Sequence, residues 1–316
     1  MESGCGERVV VALGGNAIAG ESGSDPISQQ RAVERAAEQI ADLVLAGYEI
    51  VITHGNGPQV GNLLLKNDLA RDVVPPVPLD WCVAQTQATL GFLIVTALEA
   101  SLRRTGAERL VSTVITRVLV DSADPAWSRP TKPIGRFLPG AEARERIAQG
   151  EAWEDRGPRG WRRMVPSPDP IEILDRGTIE RLLATGTVVV AAGGGGIPMV
   201  REDGRLRGVE GVLDKDLTGA LLARTVGAAC YVIATDVEAA AIRFGTPDQE
   251  WLGTVTPPRL RALVDEGHFA SGSMGPKVDA VLRFVEQGGE RAVITTLDRL
   301  REGVEGTVGT RVQFGR

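Results

Sequence analysis

The chain has 316 residues, 43% hydrophobic and 24% charged, with a net charge of −6. That length can bury a large core in one big domain or two lobes, and the acidic balance without a basic run argues against a nucleic-acid-binding surface. The cysteines Cys5, Cys82 and Cys230 are widely spaced without a CxxC, and His54 and His268 are the only histidines, which excludes a disulfide framework, a thiolate cluster and a multi-histidine metal centre. A reducing cytoplasm is the compartment expected. The N-terminus lacks a basic flank and its apolar run falls short of the ~18 residues of a membrane span, so no targeting or transmembrane segment is expected.

A buried strand is predicted at 8–13, followed by the glycine turn Gly14-Gly15-Asn16. A helix follows over about 28–46, with Ala32, Val33, Ala36, Ala37, Ile40, Leu43 and Val44 at helical spacing, Ser28 as cap and Gly47 as stop. The strand at 48–53 runs into Gly55-Asn56-Gly57, and Pro58 suits the start of the next helix, where its missing N–H costs nothing. A long helix over 83–103 and a strand over 111–120 continue the alternation, which predicts a mainly parallel sheet covered on both faces.

The rhythm breaks at about 121–170, a segment rich in proline that holds Trp127, Trp153 and Trp161. An inserted subdomain or lid is expected there, because the tryptophans need something to pack against. The alternation resumes with a helix at 175–185 and a strand at 187–192 that ends in Gly193 to Gly196. An Asp203-Gly204 hairpin, a helix over 214–224, a strand at 230–235, a helix over 275–287, a strand at 291–296 and a last strand TRVQF complete the chain.

Each of the three glycine turns ends an apolar strand, so each offers backbone N–H groups to a small anion with no Cβ in the way. None reads as G-x-x-x-x-G-K-[ST], which excludes a P-loop and requires positive charge from elsewhere. Lys215 and Lys277 supply a candidate, since each lies in the first turn of a predicted helix, where a cation opposes the helix dipole at a cost of about 0.3–1 kcal/mol when exposed. Two such violations point to an anion near both helix starts, with Asp216 holding the ammonium groups and accepting hydrogen bonds from a helix start. Lys132 is pinned between Pro130 and Pro133, which restricts its backbone and suits a lid residue reaching into a site.

The runs ALGGNAI (12–18), THGNGPQVGNLLL (53–65), DPAWSRPTKPIG (124–135), GWRRMVPSPDP (160–170), AAGGGGIP (191–198), GVEGVLDKD (208–216), TDVEA (235–239) and GSMGPKVDA (272–280) occur in that order. Together they resemble the carbamate kinase branch of the amino acid kinase family, from Val9 to about Val312. The resemblance implies a three-layer α/β/α sandwich around a mainly parallel eight-stranded sheet. It implies an N-terminal lobe, 1–186, for carbamate or carbamoyl phosphate, carrying the lid subdomain, and a C-terminal lobe, 187–316, for ATP or ADP. Gly14, Gly15, Asn16, Gly55 and Asn56 become the cradle for carbamate and the transferred phosphoryl group. Lys215 and Lys277 become the phosphate-neutralising pair, Asp216 their organiser and Lys132 the lid lysine. Gly194, Gly195, Thr235, Asp236, Met274 and Gly275 then line the nucleotide site. Two departures stand out: Thr86-Gln87-Ala88 where the family often has Ser-Gln-Gly, and Ala240-Ala241 where it often has an aromatic.

What the resemblance implies is reversible Mg²⁺-dependent phosphoryl transfer between ATP and carbamate, used to make ATP in arginine catabolism, by a homodimer. Carbamate is already anionic at neutral pH, so no general base is required, and His54 and His268 are expected to be structural. Positioning and positive charge carry such chemistry. A rival is a dinucleotide fingerprint in Gly55 to Gly61 with Asp80 downstream, although its spacing departs from G-x-G-x-x-G. A second is a regulatory kinase fold that binds nucleotide without turnover.

Overall fold

The computed structural model describes residues 6–19, 25–270 and 274–315. Its centre is an eight-stranded sheet in the order Thr254–Val255, Thr310–Val312, Arg291–Thr296, Cys230–Thr235, Arg8–Leu13, Glu49–His54, Val188–Val190 and Val111–Thr113. Neighbouring strands run parallel except Thr310–Val312 against Arg291–Thr296. The middle strands are apolar nearly throughout, as burial of both faces demands.

Alternation along these strands divides the core in two. Val10, Ala12, Val51, Tyr231 and Ile233 face one side, where the helices Lys215–Thr225 and Met274–Glu286 supply Leu222, Val278, Val281 and Phe284. Val9, Val11, Leu13, Ile50, Ile52 and Val232 face the other, beneath the helices Pro26–Leu45 and Leu79–Arg104. The three-layer sandwich follows from this period of two.

Several predicted elements shift or divide. The first long helix starts at Pro26, not near Ser28, because the Asp25 carboxylate accepts from the Ile27 and Ser28 amides and caps it there. Gly47, at φ +94°, ends the turn beyond it. The span 111–120 is two strands: Val111–Thr113 in the large sheet and Arg117–Leu119 in a second, four-stranded sheet with Glu172–Ile173 and the hairpin Ile197–Glu202/Arg205–Gly208. That hairpin turns through Asp203 and Gly204, both at positive φ, as its Asp-Gly signal requires.

The helix Leu79–Arg104 has 26 residues and a mean hydropathy of 1.4 in its most apolar window, enough by length and composition to cross a membrane. It is packed as a core helix, with Cys82, Val83, Leu90, Ile94 and Leu98 buried inside the protein.

The insertion forms its own three-stranded antiparallel sheet, with Trp161–Val165 between Lys132–Leu138 and Ala152–Asp155, and a helix Gly140–Ala148. Trp161 and Trp153 belong to this subdomain, whereas Trp127 packs partly against the main core. Its first strand lies against the helix Gly57–Ala70, where a Cβ on Gly61 would sit 3.5 Å from the Gly135 Cα. Arg146 of the insertion pairs with Asp68 of that helix at 3.1 Å. The insertion thereby overhangs the edge of the large sheet where the parallel strands end.

Candidate functional site

The carboxyl ends of Arg8–Leu13, Glu49–His54, Val188–Val190 and Cys230–Thr235 share one edge, so the chain leaves each at the same place. Ligands of open α/β sheets gather at such an edge. The first two glycine turns abut there: the Gly55 amide donates to Leu13 O at 3.0 Å, and a Cβ on Gly55 would lie 3.1 Å from Gly15 Cα and 3.2 Å from Lys215 Cδ. The third turn interlocks with the second. A Cβ on Gly194, which stands at φ +66°, would come within 2.1 Å of Asn56 Nδ2, and one on Gly193 within 2.4 Å of His54 Nε2.

Ala192 enters this third turn at φ 52°, a left-handed conformation that strains a residue with a Cβ. Both its backbone polar groups are fixed, the amide by Thr116 Oγ1 and the carbonyl by Thr53 Oγ1, each at 2.9 Å. Asn56 is buried and donates through Nδ2 to Thr86 Oγ1 at 2.9 Å, while Thr86 donates to Val83 O. The departure from the family pattern at Thr86 therefore still provides a hydroxyl that holds Asn56.

The two lysines meet on one carboxylate. Lys215 Nζ donates to Asp216 Oδ1 and Lys277 Nζ to Oδ2, the latter at 3.0 Å, and the Asp216 side chain is only 5% exposed. Burial alone pushes the Asp216 carboxyl up, but the two ammonium groups outweigh it and hold the group below its usual range. Burial, with the Lys215 charge beside it, pushes the Lys277 ammonium down. A buried Tyr231 fixes the backbone here, its hydroxyl donating to Asp216 O at 2.9 Å.

One expectation is corrected. The helix start is held not by Asp216 but by Asp214, whose Oδ1 accepts from the Asp216 and Leu217 amides at 2.9 and 3.4 Å. Asp216 lies in the first turn, where its carboxylate is taken by the lysines. Asp214 Oδ2 accepts from Lys132 Nζ at 2.6 Å, so the lid lysine also ends on this helix.

His54 is buried behind the second turn, with Nδ1 2.9 Å from Gly55 O. Burial drives its pKa down to about 4, which leaves a neutral ring that donates to that carbonyl. His268 lies against Glu266 at 3.2 Å.

A cavity of about 320 Å³ joins these parts. Gly14, Gly15, Gly55, Asn56 and Gly194 are among the residues that line it, together with Lys132, Lys215, Asp216, Lys277, Thr235 and Asp236, and the fold adds Asp214, Pro58, Ile134 and Pro276 among others. Gly195, Met274 and Gly275 do not line it: Gly195 backs onto Leu213, Gly275 onto Ala270, and Met274 packs partly into the core. The side chain of Asn16, Cys5 and residues 272–273 of the last sequence run lie outside the described residues. Asp80 of the rival fingerprint is elsewhere, against Gly208. Among the described residues no cluster of three or more His, Cys, Asp or Glu could hold a metal by itself.

A buried carboxylate bridging two lysines beside glycine turns presents fixed positive charge to anionic oxygens. The profile of the amino acid kinase family matches residues 7–296. The chain is 50% identical to the carbamate kinase of Thermococcus kodakarensis over 314 residues, which cover 97% of this chain and 99% of that one. It is 48% identical to the carbamate kinase of Pyrococcus furiosus over the same length, again 97% and 99% of the two chains. Its fold matches the carbamate kinase from Giardia lamblia bound to AMP-PNP with a TM-score of 0.93 and 39% identity, covering 98% of this chain and 99% of that one. The chain belongs to the amino acid kinase family, in its carbamate kinase branch.

Proposed function

We propose that this chain catalyses reversible phosphoryl transfer between ATP and carbamate, giving ADP and carbamoyl phosphate. The observation that carries the reading is the pair of lysines from two helices on one buried Asp216, at the mouth of three interlocked glycine turns. Such an arrangement presents fixed positive charge to the equatorial and leaving oxygens of a transferred phosphoryl group without reorganisation. Gly14, Gly15, Asn16, Gly55 and Asn56 would cradle the acceptor on the lobe of residues 1–186, and Lys132 would close over it. Gly194, Gly195, Thr235, Asp236, Met274 and Gly275 would serve the nucleotide on the lobe of residues 187–316, the first, third and fourth of them from the cavity wall.

A carbamate oxygen is already anionic at neutral pH, so the reaction asks for no general base. A neutral, buried His54 suits that requirement. Mg²⁺ fits as an ion that enters on the nucleotide's phosphates, since Mg²⁺ takes one or two carboxylates plus substrate oxygens and Asp236 is at the cavity wall. Its chemistry there is charge neutralisation on the phosphates. A reducing cytoplasm accords with two buried free thiols, Cys82 and Cys230. The resemblance supports a homodimer and a use in making ATP during arginine breakdown.

The test is ATP formation from ADP, Mg²⁺ and carbamoyl phosphate, with acetyl phosphate in parallel. ATP from carbamoyl phosphate well above that from acetyl phosphate is expected. No ATP, or equal use of both, overturns the reading.

A further inference from the structure

We propose that Asp214 is the positioning residue of the lid, holding the Lys132 ammonium at the cavity and tying it to the helix that carries Lys215 and Asp216. The proposal rests on the reaction assigned above. One carboxylate does two things at once: Oδ1 receives two amides of the first turn of Lys215–Thr225, and Oδ2 receives Lys132 from the insertion, 82 residues away. The Asp214 side chain is 12% exposed against 35% for Lys132, so the carboxylate is the fixed partner and the lysine the one that is placed.

Two backbone amides lock the Asp214 rotamer, and a locked acceptor fixes the donor it binds. Lys132 then stands at a set distance from Lys215 and Lys277, whose own ammonium groups are fixed by the neighbouring Asp216. An ammonium has three N–H donors, and Asp214 engages one of them. Two donors stay available for an anionic acceptor, so Asp214 positions Lys132 without competing for all of it. Without this anchor, Lys132 would be a flexible chain at the edge of an overhanging sheet, with its rotamer freedom to lose on each binding event.

The rival explanation is that Asp214 is only a helix cap with a solvent-exposed lysine nearby. Asp214→Asn separates the two, because asparagine caps as well as aspartate but presents no charge to Lys132. Asp214→Ser, which keeps a capping oxygen and drops the lid contact, serves as the second variant. Steady-state ATP formation is measured for wild type, both variants, Lys132→Met and the double variants, with hydrogen exchange of the amides of 132–138 in the absence of substrate.

The expected result is a wild-type urea midpoint for Asp214→Asn, with KM for carbamoyl phosphate raised about tenfold and KM for ADP held, as losing one charge-assisted contact to a placed lysine implies. In the Lys132→Met background the same substitution changes KM no further. Exchange in 132–138 rises equally in Asp214→Asn, Lys132→Met and their combination. Additive effects on KM, or wild-type exchange in Asp214→Asn, overturn the proposal. A wild type that makes no ATP from carbamoyl phosphate refutes the assigned reaction instead, and the exchange comparison still decides whether Asp214 holds the lid.

Discussion

His54 offers the most quantitative test of how the site is built. Its imidazole is buried beneath the second and third glycine turns and its pKa is brought down to about 4 from an ordinary 6.5. The folded protein therefore refuses a proton that the unfolded chain accepts. The sign follows from that: a depressed pKa gives a stability contribution that is complete above 6.5 and is lost as the pH falls toward the folded value. At about 1.4 kcal/mol per pH unit the whole gap is worth roughly 3 kcal/mol. By pH 5 the unfolded imidazole is almost fully charged and the folded one almost fully neutral, so about 2 kcal/mol is already gone relative to pH 7.5.

The variant for this test is His54→Asn, whose side-chain amide keeps a donor near Gly55 O but does not titrate. Urea unfolding at pH 7.5 and 5.0 compares the two proteins, and the difference between their losses isolates the imidazole from the carboxylates, which titrate alike in both. Wild type is expected to lose about 2 kcal/mol more than His54→Asn across that interval. An NMR titration of the His54 ring in the folded protein supplies the second reading. Parallel losses in the two proteins, or a ring that titrates near 6.5, would refute the argument. The same logic predicts that acid disturbs the glycine turns, since a charge on His54 would appear where Gly193 packs against its ring.

Lys215→Ala and Lys277→Ala should each lower turnover by about 10²–10³, the usual effect of removing one fixed electrostatic stabiliser, and near-normal turnover in both would take them out of the mechanism. Asp216→Ala strands two largely buried ammonium groups and should cost about 3–5 kcal/mol in urea unfolding; Lys215→Met and Lys277→Met added to it should restore much of that, and a neutral Asp216→Ala would contradict the bridge. Gly194→Ala puts a Cβ into the Asn56 amide at positive φ, so about 1–2 kcal/mol of stability should go together with activity, and an unchanged melting temperature would mean that the turn is looser than its geometry.

Much of the site was legible because it breaks local rules. Lysines in two first helical turns and glycines at the ends of three apolar strands are costly by propensity alone, and that cost marked them before any contact was known. The parallel sheet was legible for the opposite reason: Val9 to Leu13, Ile50 to Thr53 and Tyr231 to Ala234 have almost no polar choice, so only burial on both faces accommodates them.

Features set by distant partners could not be read this way. The run 111–120 is uniformly strand-like, yet it divides because Gln87, on the long helix, takes both polar groups of Thr116: Oε1 accepts its amide at 2.7 Å and Nε2 donates to its carbonyl at 3.1 Å. With its amide taken by Gln87, Thr116 has no N–H left for the large sheet, while its carbonyl also accepts from the Ile197 amide at 2.9 Å, so the chain passes there into the second sheet. Asp214 was hidden for a subtler reason. It obeys its local rule, being a good N-cap at φ −74° and ψ 119°, and a residue that satisfies its neighbours shows no deficit to explain. In the run Asp214-Lys215-Asp216, sequence cannot say which carboxylate caps and which faces the lysines. The fold decides it, since the cap position directs Asp214 to the amides and the lid while the first turn carries Asp216 into the interior, where Lys277 arrives from a helix 61 residues further on. A functional role added to a satisfied structural residue is thus the part of a site least visible in one dimension, and Lys132 reaching Asp214 is where that principle can be put to the test.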